Sequence, residues 1–223
     1  MGTLKHVFLD LDGTLTDPAP GIVASYQHAI EQLGLTGWDA QSLRRFIGPP
    51  LREAFARILK TEEPARIEQA VALYREYFAV SGLLQNGVIA GIPTALAELV
   101  DRGYMLHVAT SKPKPFADRI VAGFDLAKHL RGVYGASMGG GRSDKAELLA
   151  HALSQVEAHP AEAVMVGDRK HDIRGARARG MASVGVLWGY GELQELAAER
   201  PNRIVIDVVD LPDVISELDA SLQ

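Results

Sequence analysis

Asp10 and Asp12 stand two residues apart at the end of a short β-favouring run, Lys5-His-Val-Phe-Leu9, and Gly13 and Thr14 follow them. Two carboxylates this close repel, so at neutral pH the pair needs a cation or a shared proton. A second apolar run, Ala163-Val-Met-Val166, ends in Gly167-Asp168, and Asp172 follows it. Hard oxygen ligands with no His or Cys among them suit magnesium, which takes one or two carboxylates and keeps waters and substrate phosphate oxygens. Thr110 and Lys145 offer what a metal-bound phosphate needs, a hydroxyl and a point charge. Each piece alone has a plainer reading. Asp-x-Asp at a strand end is commonly a turn or a helix N-cap, Gly-Asp before a helix likewise, and Thr110-Ser111-Lys112 by itself says little. Their joint occurrence, each at the end of a predicted strand, points to phosphoryl transfer.

The elements that must position these groups alternate. Strands are expected at 5–9, Met105–Ala109, Ala163–Val166, Ser183–Leu187 and Arg203–Ile206, with helices at Ile92–Leu99, Phe116–Ala122, Lys145–Leu153 and through Ala176–Arg179 to Gly180. Pro93 falls in a first helical turn, where its missing N–H costs nothing. Strands separated by helices imply βαβ units and a parallel sheet covered on both faces, an α/β doubly wound fold. Ligands of such sheets bind outside the carboxyl ends of the strands, which puts Asp10/Asp12, Thr110–Lys112 and Asp168 on one edge. Between Pro18 and Gly82 the texture changes to helix only. Ile22, Tyr26, Ala29, Ile30 and Leu33 form one amphipathic set; Leu51, Phe55, Ile58 and Leu59 a second; Ile67, Val71, Tyr74 and Phe78 a third. The domain division expected is therefore 1–16 with 84–223 as an α/β core and 17–83 as an all-helical insertion.

Composition narrows the classes. The 223 residues are 47% hydrophobic and 23% charged, with a net charge of −5. The absence of cysteine excludes thiol nucleophiles, disulfide scaffolds and cysteine metal sites. No basic stripe fits a nucleic-acid polymer, and no apolar run approaches the roughly 18 residues that cross a bilayer. The N-terminal Met1–Thr14 stretch is interrupted by acidic residues and reads as a strand rather than a signal peptide, so a cytoplasmic protein is expected. Met138-Gly-Gly-Gly141 reads as a flexible loop and lacks the Gly-Lys-Ser/Thr of a P-loop. The seven histidines show no metal-ligand spacing and read as structural or solvated.

These residues carry a resemblance. Asp10-Leu-Asp12-Gly13-Thr14-Leu15-Thr16-Asp17 resembles the first motif of the haloacid dehalogenase-like superfamily, Thr110-Ser111-Lys112 its second, Lys145 its third and Gly167-Asp168-Arg-Lys-His-Asp172 its fourth. Gly175-Ala-Arg-Ala-Arg-Gly180-Met is also typical of the stretch after the fourth motif. The helical insertion sits where that superfamily places a cap domain. The resemblance implies Asp10 as nucleophile, forming an aspartyl-phosphate, and Asp12 as general acid and then base. It implies magnesium held by Asp10, Asp168 and the backbone carbonyl of Asp12, with Asp172 orienting that shell. Thr110, the Ser111 amide and Lys145 would bind phosphate. Asp12 sets this chain apart from the superfamily's true dehalogenases and phosphonatases, which lack that carboxylate. The insertion's one lysine, Lys60, reads as a solvated charge rather than a Schiff-base former.

Substrate choice belongs to the cap. Arg44-Arg-Phe-Ile-Gly-Pro-Pro-Leu-Arg-Glu53 joins two of its helices, and Arg45 and Arg52 are candidate substrate contacts or plain surface charge. Seven basic and eight acidic residues between Asp17 and Leu84 select no polyanion. The aromatics there fit a stacked base or a helical core equally. Phe46-Ile-Gly-Pro-Pro-Leu51, Ala109-Thr-Ser-Lys-Pro113 and Gly141-Arg-Ser-Asp-Lys145 look most like 5'-nucleotidase-like members, which makes a small phosphorylated metabolite, a nucleoside 5'-monophosphate first, the expected partner. The alternatives are a phosphoglycolate phosphatase (though Lys145 lacks the Pro-x-Pro expected after it), a phosphosugar mutase, and a catalytically idle interaction protein on the same scaffold. Trp188-Gly-Tyr-Gly191 reads as a loop beside the site, with packing as its plainer role.

Overall fold

The structure, a computed structural model, describes residues 4–139 and 141–222, with the side chain of Leu84 excepted. The readings placed on Met1–Thr3 and on Gly140 of the glycine-rich loop lie outside the described residues. The chain forms two compact units, Asp17–Gly87 and the remainder.

The chain opens with β1 (His6–Leu9) and the two-residue β2 (Thr16–Asp17). Four helices follow: α1 (Ala19–Gln32), α2 (Ala40–Arg44), α3 (Leu51–Leu59) and α4 (Pro64–Val80). The three apolar sets seen in the sequence lie on α1, α3 and α4. Tyr26 is their meeting point, its ring 5.2 Å from Phe55, 4.9 Å from Tyr74 and 6.1 Å from Phe46. The aromatics of this unit are mainly core. Lys60 closes α3 in the left-handed region at φ 51° and is exposed, in keeping with a solvated charge.

After β3 (Gly87–Val88), which pairs with β2, the second unit runs α5 (Ile92–Asp101), β4 (Met105–Pro113), α6 (Lys114–Gly123), β5 (Leu130–Ala136) and α7 (Lys145–Gln155). It ends with β6 (Ala163–Gly167), α8 (Lys170–Ala178), β7 (Ala182–Val186), α9 (Leu193–Ala198), β8 (Arg203–Val205) and α10 (Leu211–Ser221). Six strands form one all-parallel sheet in the order β5-β4-β1-β6-β7-β8. The α/β doubly wound expectation holds. Three parts of it are corrected. The strand β5 went unread, because Leu130-Arg-Gly-Val-Tyr-Gly-Ala carries two glycines and an arginine, which an edge strand tolerates and a buried one does not. β4 stays extended four residues past Ala109. The last strand stops at Val205, and Ile206, read as its end, is 68% exposed.

Phe8, Ala109, Met165 and Ala176 pack with Leu148, Leu149 and Ala152 of α7 in one cluster, while α5 and α10 pack against each other. From β1 the chain crosses to β4 and β5; from β6 it runs the other way, to β7 and β8. The switch point therefore lies between β1 and β6, where an open parallel sheet leaves its crevice. Register does the rest. Leu9 stands level with Val108 and with Val166, so the residues that follow these three emerge together. The Asp10 N–H continues the ladder onto the Val166 carbonyl at 2.9 Å.

One buried polar pair in this sheet is set apart from that edge. His6 Nδ1 and His107 Nε2 lie 3.1 Å apart, and the His107 ring stacks 4.8 Å from Phe8. Nδ1 of His107 has no partner among the described residues. At most one of the two rings can be charged, for protons on both facing nitrogens would set N–H against N–H. Burial pushes the His107 pKa down to about 4, helped by the neighbouring His6 and Arg131. The unfolded chain takes up a proton near pH 6.5 and the folded one only near 4, so stability is full above about 6.5 and drains as pH falls through that window. The loss amounts to at most about 3 kcal/mol. Thermal melts of the protein and of His107→Phe between pH 7.5 and 4.5 check this: the variant's curve should be the flatter over that span.

Candidate active site

Asp10 follows β1 directly. Its Oδ1 accepts the Leu11 N–H at 2.8 Å and lies 3.1 Å from Lys145 Nζ. The chain then turns, with Gly13 at φ 83° and its N–H on the Thr16 carbonyl. A Cβ at Gly13 would strike the Asp168 carboxylate and the Tyr190 ring, so glycine is needed there for space as well as for conformation. Neither Asp10 nor Asp168 caps a helix: the N-cap of α8 is Arg169, whose N–H is accepted by Asp172 Oδ2 at 3.1 Å.

Asp10, Asp168 and Asp172 each bring one carboxylate oxygen within 4.8 Å of the others. Asp168 and Asp172 are fully buried. At that spacing two like charges cost about 3–4 kcal/mol even at an effective dielectric constant near 20. Lys145, itself buried, lies 2.7 Å from Asp172 and donates to the Ala109 carbonyl at 2.9 Å. Burial works against its charge, but Asp10 and Asp172 outweigh it and hold its pKa above the ordinary value. Burial, reinforced by Asp172 and Asp10, lifts the Asp168 carboxyl to about 8; burial, opposed by Lys145, lifts Asp172 to about 6.

The Asp12 carboxylate stands outside that trio. Its Oδ2 pairs with Lys112 Nζ at 2.9 Å, while Oδ1 is screened from water and has no hydrogen-bond partner among the described residues. Burial raises its pKa, Lys112 opposes this, and Asp10 adds to it. Four carboxylates against two ammonium groups leave an excess of two negative charges when all are ionised. That excess, an all-oxygen donor set, and a buried Asp168 Oδ1 with no hydrogen-bond partner together fit a divalent hard cation.

Thr110 is buried within β4, three residues before its end, its Oγ1 accepting the Lys112 N–H at 3.2 Å, which leaves its own O–H to donate. The Ser111 hydroxyl is committed to the Ser143 carbonyl at 2.9 Å. In the helical unit, the Arg45 guanidinium sits 5.3 Å from the Trp38 ring centre and 5.0 Å from that of Phe46. Arg52 makes a two-point contact with Glu68 on the surface, a pairing of small energetic worth.

The sequence assigns no role to Lys112, and for Trp188–Gly191 it gives a loop beside the site with packing as the plainer role, but not what the loop holds. The Trp188 indole N–H donates to the Thr14 carbonyl at 3.0 Å, and the Tyr190 N–H donates to Asp168 Oδ2 at 2.8 Å. The loop thus holds one oxygen of Asp168 and leaves the other. A Cβ at Gly189 would run into the Gly13 carbonyl and the Asp168 side chain. Gly189→Ala should therefore cost about 1–3 kcal/mol, read as a lowered urea midpoint. Gly123→Ala, where a Cβ meets nothing within 4 Å, should not lower it.

The haloacid dehalogenase-like hydrolase family matches residues 7–186. A 5'-nucleotidase from Pseudomonas aeruginosa is 42% identical over 94% of this chain and 95% of its own length. A protein named tyrosine-protein kinase PtkA, from Mycobacterium tuberculosis, is 43% identical over 83% of this chain, which spans 62% of that protein's length. The crystal structure of a "predicted phosphatase" from Clostridium acetobutylicum superposes with a TM-score of 0.90 at 36% identity, covering 96% of this chain and 99% of that one. No helix among the described residues is long and apolar enough to cross a membrane. Sheet order, the acidic crevice at the switch point and these likenesses agree: the chain belongs to the haloacid dehalogenase-like hydrolases.

Proposed function

We propose that the chain is a magnesium-dependent phosphatase of small phosphomonoesters, nucleoside 5'-monophosphates first among them, acting through an aspartyl-phosphate on Asp10. The observation that carries the reading is the convergence of Asp10, Asp12, Asp168, Asp172, Lys112 and Lys145 on one crevice. Asp10 attacks phosphorus, and the P–O bond to the leaving alkoxide breaks with its electron pair on that oxygen, which takes a proton from Asp12. Asp12, now a carboxylate, removes a proton from the water that attacks next; the P–O bond to Asp10 breaks and its carboxylate returns. The Thr110 O–H and the Ser111 amide hold phosphate oxygens, and Lys145 balances charge on them and on Asp10. Asp10 and Asp168, with the Asp12 backbone carbonyl, are assigned to magnesium, which when bound would neutralise charge on the phosphoryl group; Asp172 orients that shell.

The nucleotide preference is supported by the cap-loop and third-motif sequences and by the relative named 5'-nucleotidase. The helical unit, 17–83 in the sequence reading, is assigned the cap's role in substrate choice. Of its two candidate contacts, Arg45 is preferred, since the Arg52 cation is already paired with Glu68. Phosphate release is to be measured across nucleoside 5'-monophosphates, phosphoglycolate and sugar phosphates, with and without EDTA. The expected result is chelator-sensitive release, fastest on a nucleotide. Fastest release from phosphoglycolate would move the substrate to that alternative; isomerised sugar phosphate without release would mark a mutase. Release indifferent to EDTA would overturn the magnesium assignment, and no turnover of any ester would leave an idle interaction protein.

A further inference from the structure

We propose that Lys112 is the positioning residue for proton transfer by Asp12: by holding Oδ2 it leaves Oδ1 as the oxygen that carries and delivers the proton. This rests on the phosphatase reading above. A lysine 9% exposed gives up most of its hydration, which only a well-placed partner offsets, and Asp12 Oδ2 is 2.9 Å from its Nζ. An ammonium group has three donors and no acceptor. A proton on Oδ2 would therefore point at N–H, whereas Oδ1, with no hydrogen-bond partner among the described residues, can take it without conflict.

The backbone at Lys112 is placed as firmly as its side chain. Pro113 biases the residue before it towards extended conformations, and the Lys112 N–H is fixed on Thr110 Oγ1. Thr110, assigned to the phosphate, and Asp12, assigned to the leaving group, are thus tied through one residue. Lys112 positions the carboxylate and takes no part in the transfer itself. In the first step the proton passes from Asp12 Oδ1 to the leaving oxygen as the P–O bond breaks; in the second Oδ1 receives one from water.

Leaving-group chemistry tests this. An alkoxide must be protonated as it departs, whereas p-nitrophenolate leaves with little help. Single-turnover rates of leaving-group release are to be compared for a nucleoside 5'-monophosphate and p-nitrophenyl phosphate in the parent, Lys112→Met and Lys112→Arg. Lys112→Met should lose roughly 30-fold or more on the alkyl ester and only a few-fold on the aryl ester, with KM for the alkyl ester within about threefold of the parent. Lys112→Arg, which returns a cationic donor to Oδ2, should recover most of the alkyl rate. Equal losses on the two esters, or no loss on the alkyl one, would overturn the proposal; so would failure of Lys112→Arg to exceed Lys112→Met. Should Lys112→Met not fold, a Lys112→Arg rate equally depressed on both esters overturns it as well. A parent enzyme that releases neither leaving group defeats the phosphatase reading instead.

Discussion

Asn in place of Asp10 should lower kcat for phosphate release by about 10⁴-fold or more, while the variant melts within about 2 °C of the parent. The two halves of that result have separate causes. An amide oxygen carries no charge to attack phosphorus, and the uncatalysed reaction is among the slowest known, so little rate survives without the nucleophile. Folding depends on other atoms of the residue. The Asn Oδ1 still accepts the Leu11 N–H, and the backbone N–H still meets Val166. Loss of one charge relieves repulsion with Asp168 and Asp172 while weakening the hold on Lys145, and these changes oppose each other. Acid quench of the enzyme with a phosphorus-labelled nucleotide adds a direct readout. The parent should yield hydroxylamine-labile label on the protein, and Asp10→Asn none. Label on that variant, or phosphate release within tenfold of the parent, would remove Asp10 from the role of nucleophile.

The acidic half of this site was legible in the sequence because carboxylates recur at the ends of more than one predicted strand and parallel strands must present their ends on one edge. Asp10, Thr110, Lys145, Asp168 and Asp172 all come to that edge. What escaped reading depends on partners distant in the chain. Lys112, a hundred positions from Asp12, is in sequence an ordinary lysine before a proline; only burial makes its pairing compulsory. Gly189 reads only as part of a loop beside the site, whereas the particular constraint on it is crowding by Gly13 and Asp168. The Asp12 carboxylate differs in another way, since it faces Lys112 rather than joining the trio, and a two-residue spacing says nothing about which way a side chain turns. β5 was missed for the converse reason: an edge strand has weak demands on its residues, and its sequence reflects them weakly.

Lys145→Met should cost the fold more than it would at a surface lysine, with stability at pH 7.5 in EDTA falling by about 3–5 kcal/mol. For a chain of this size that lowers Tm by roughly 6–20 °C. Methionine replaces most of the lysine's volume, and the lysine stem lies where a Cβ on Gly175 would touch it at 2.7 Å, so packing changes little. The loss is electrostatic. Asp172 Oδ1 gives up a partner at 2.7 Å, Asp10 one at 3.1 Å and the Ala109 carbonyl its donor at 2.9 Å, and the buried Asp172 has little access to water in compensation. Activity should fall as well, but that alone would not distinguish a phosphate-binding cation from a structural one. The double variant Lys145→Met/Asp172→Asn separates the terms. Removing the stranded carboxylate should restore a good part of the lost stability, a coupling on the order of 1–3 kcal/mol, without restoring phosphate release. A single variant that melts within about 2 °C of the parent, or a double variant that falls by the sum of the two singles, would mean that the buried lysine does not balance these acids. The excess charge at the crevice would then have to be balanced in some other way.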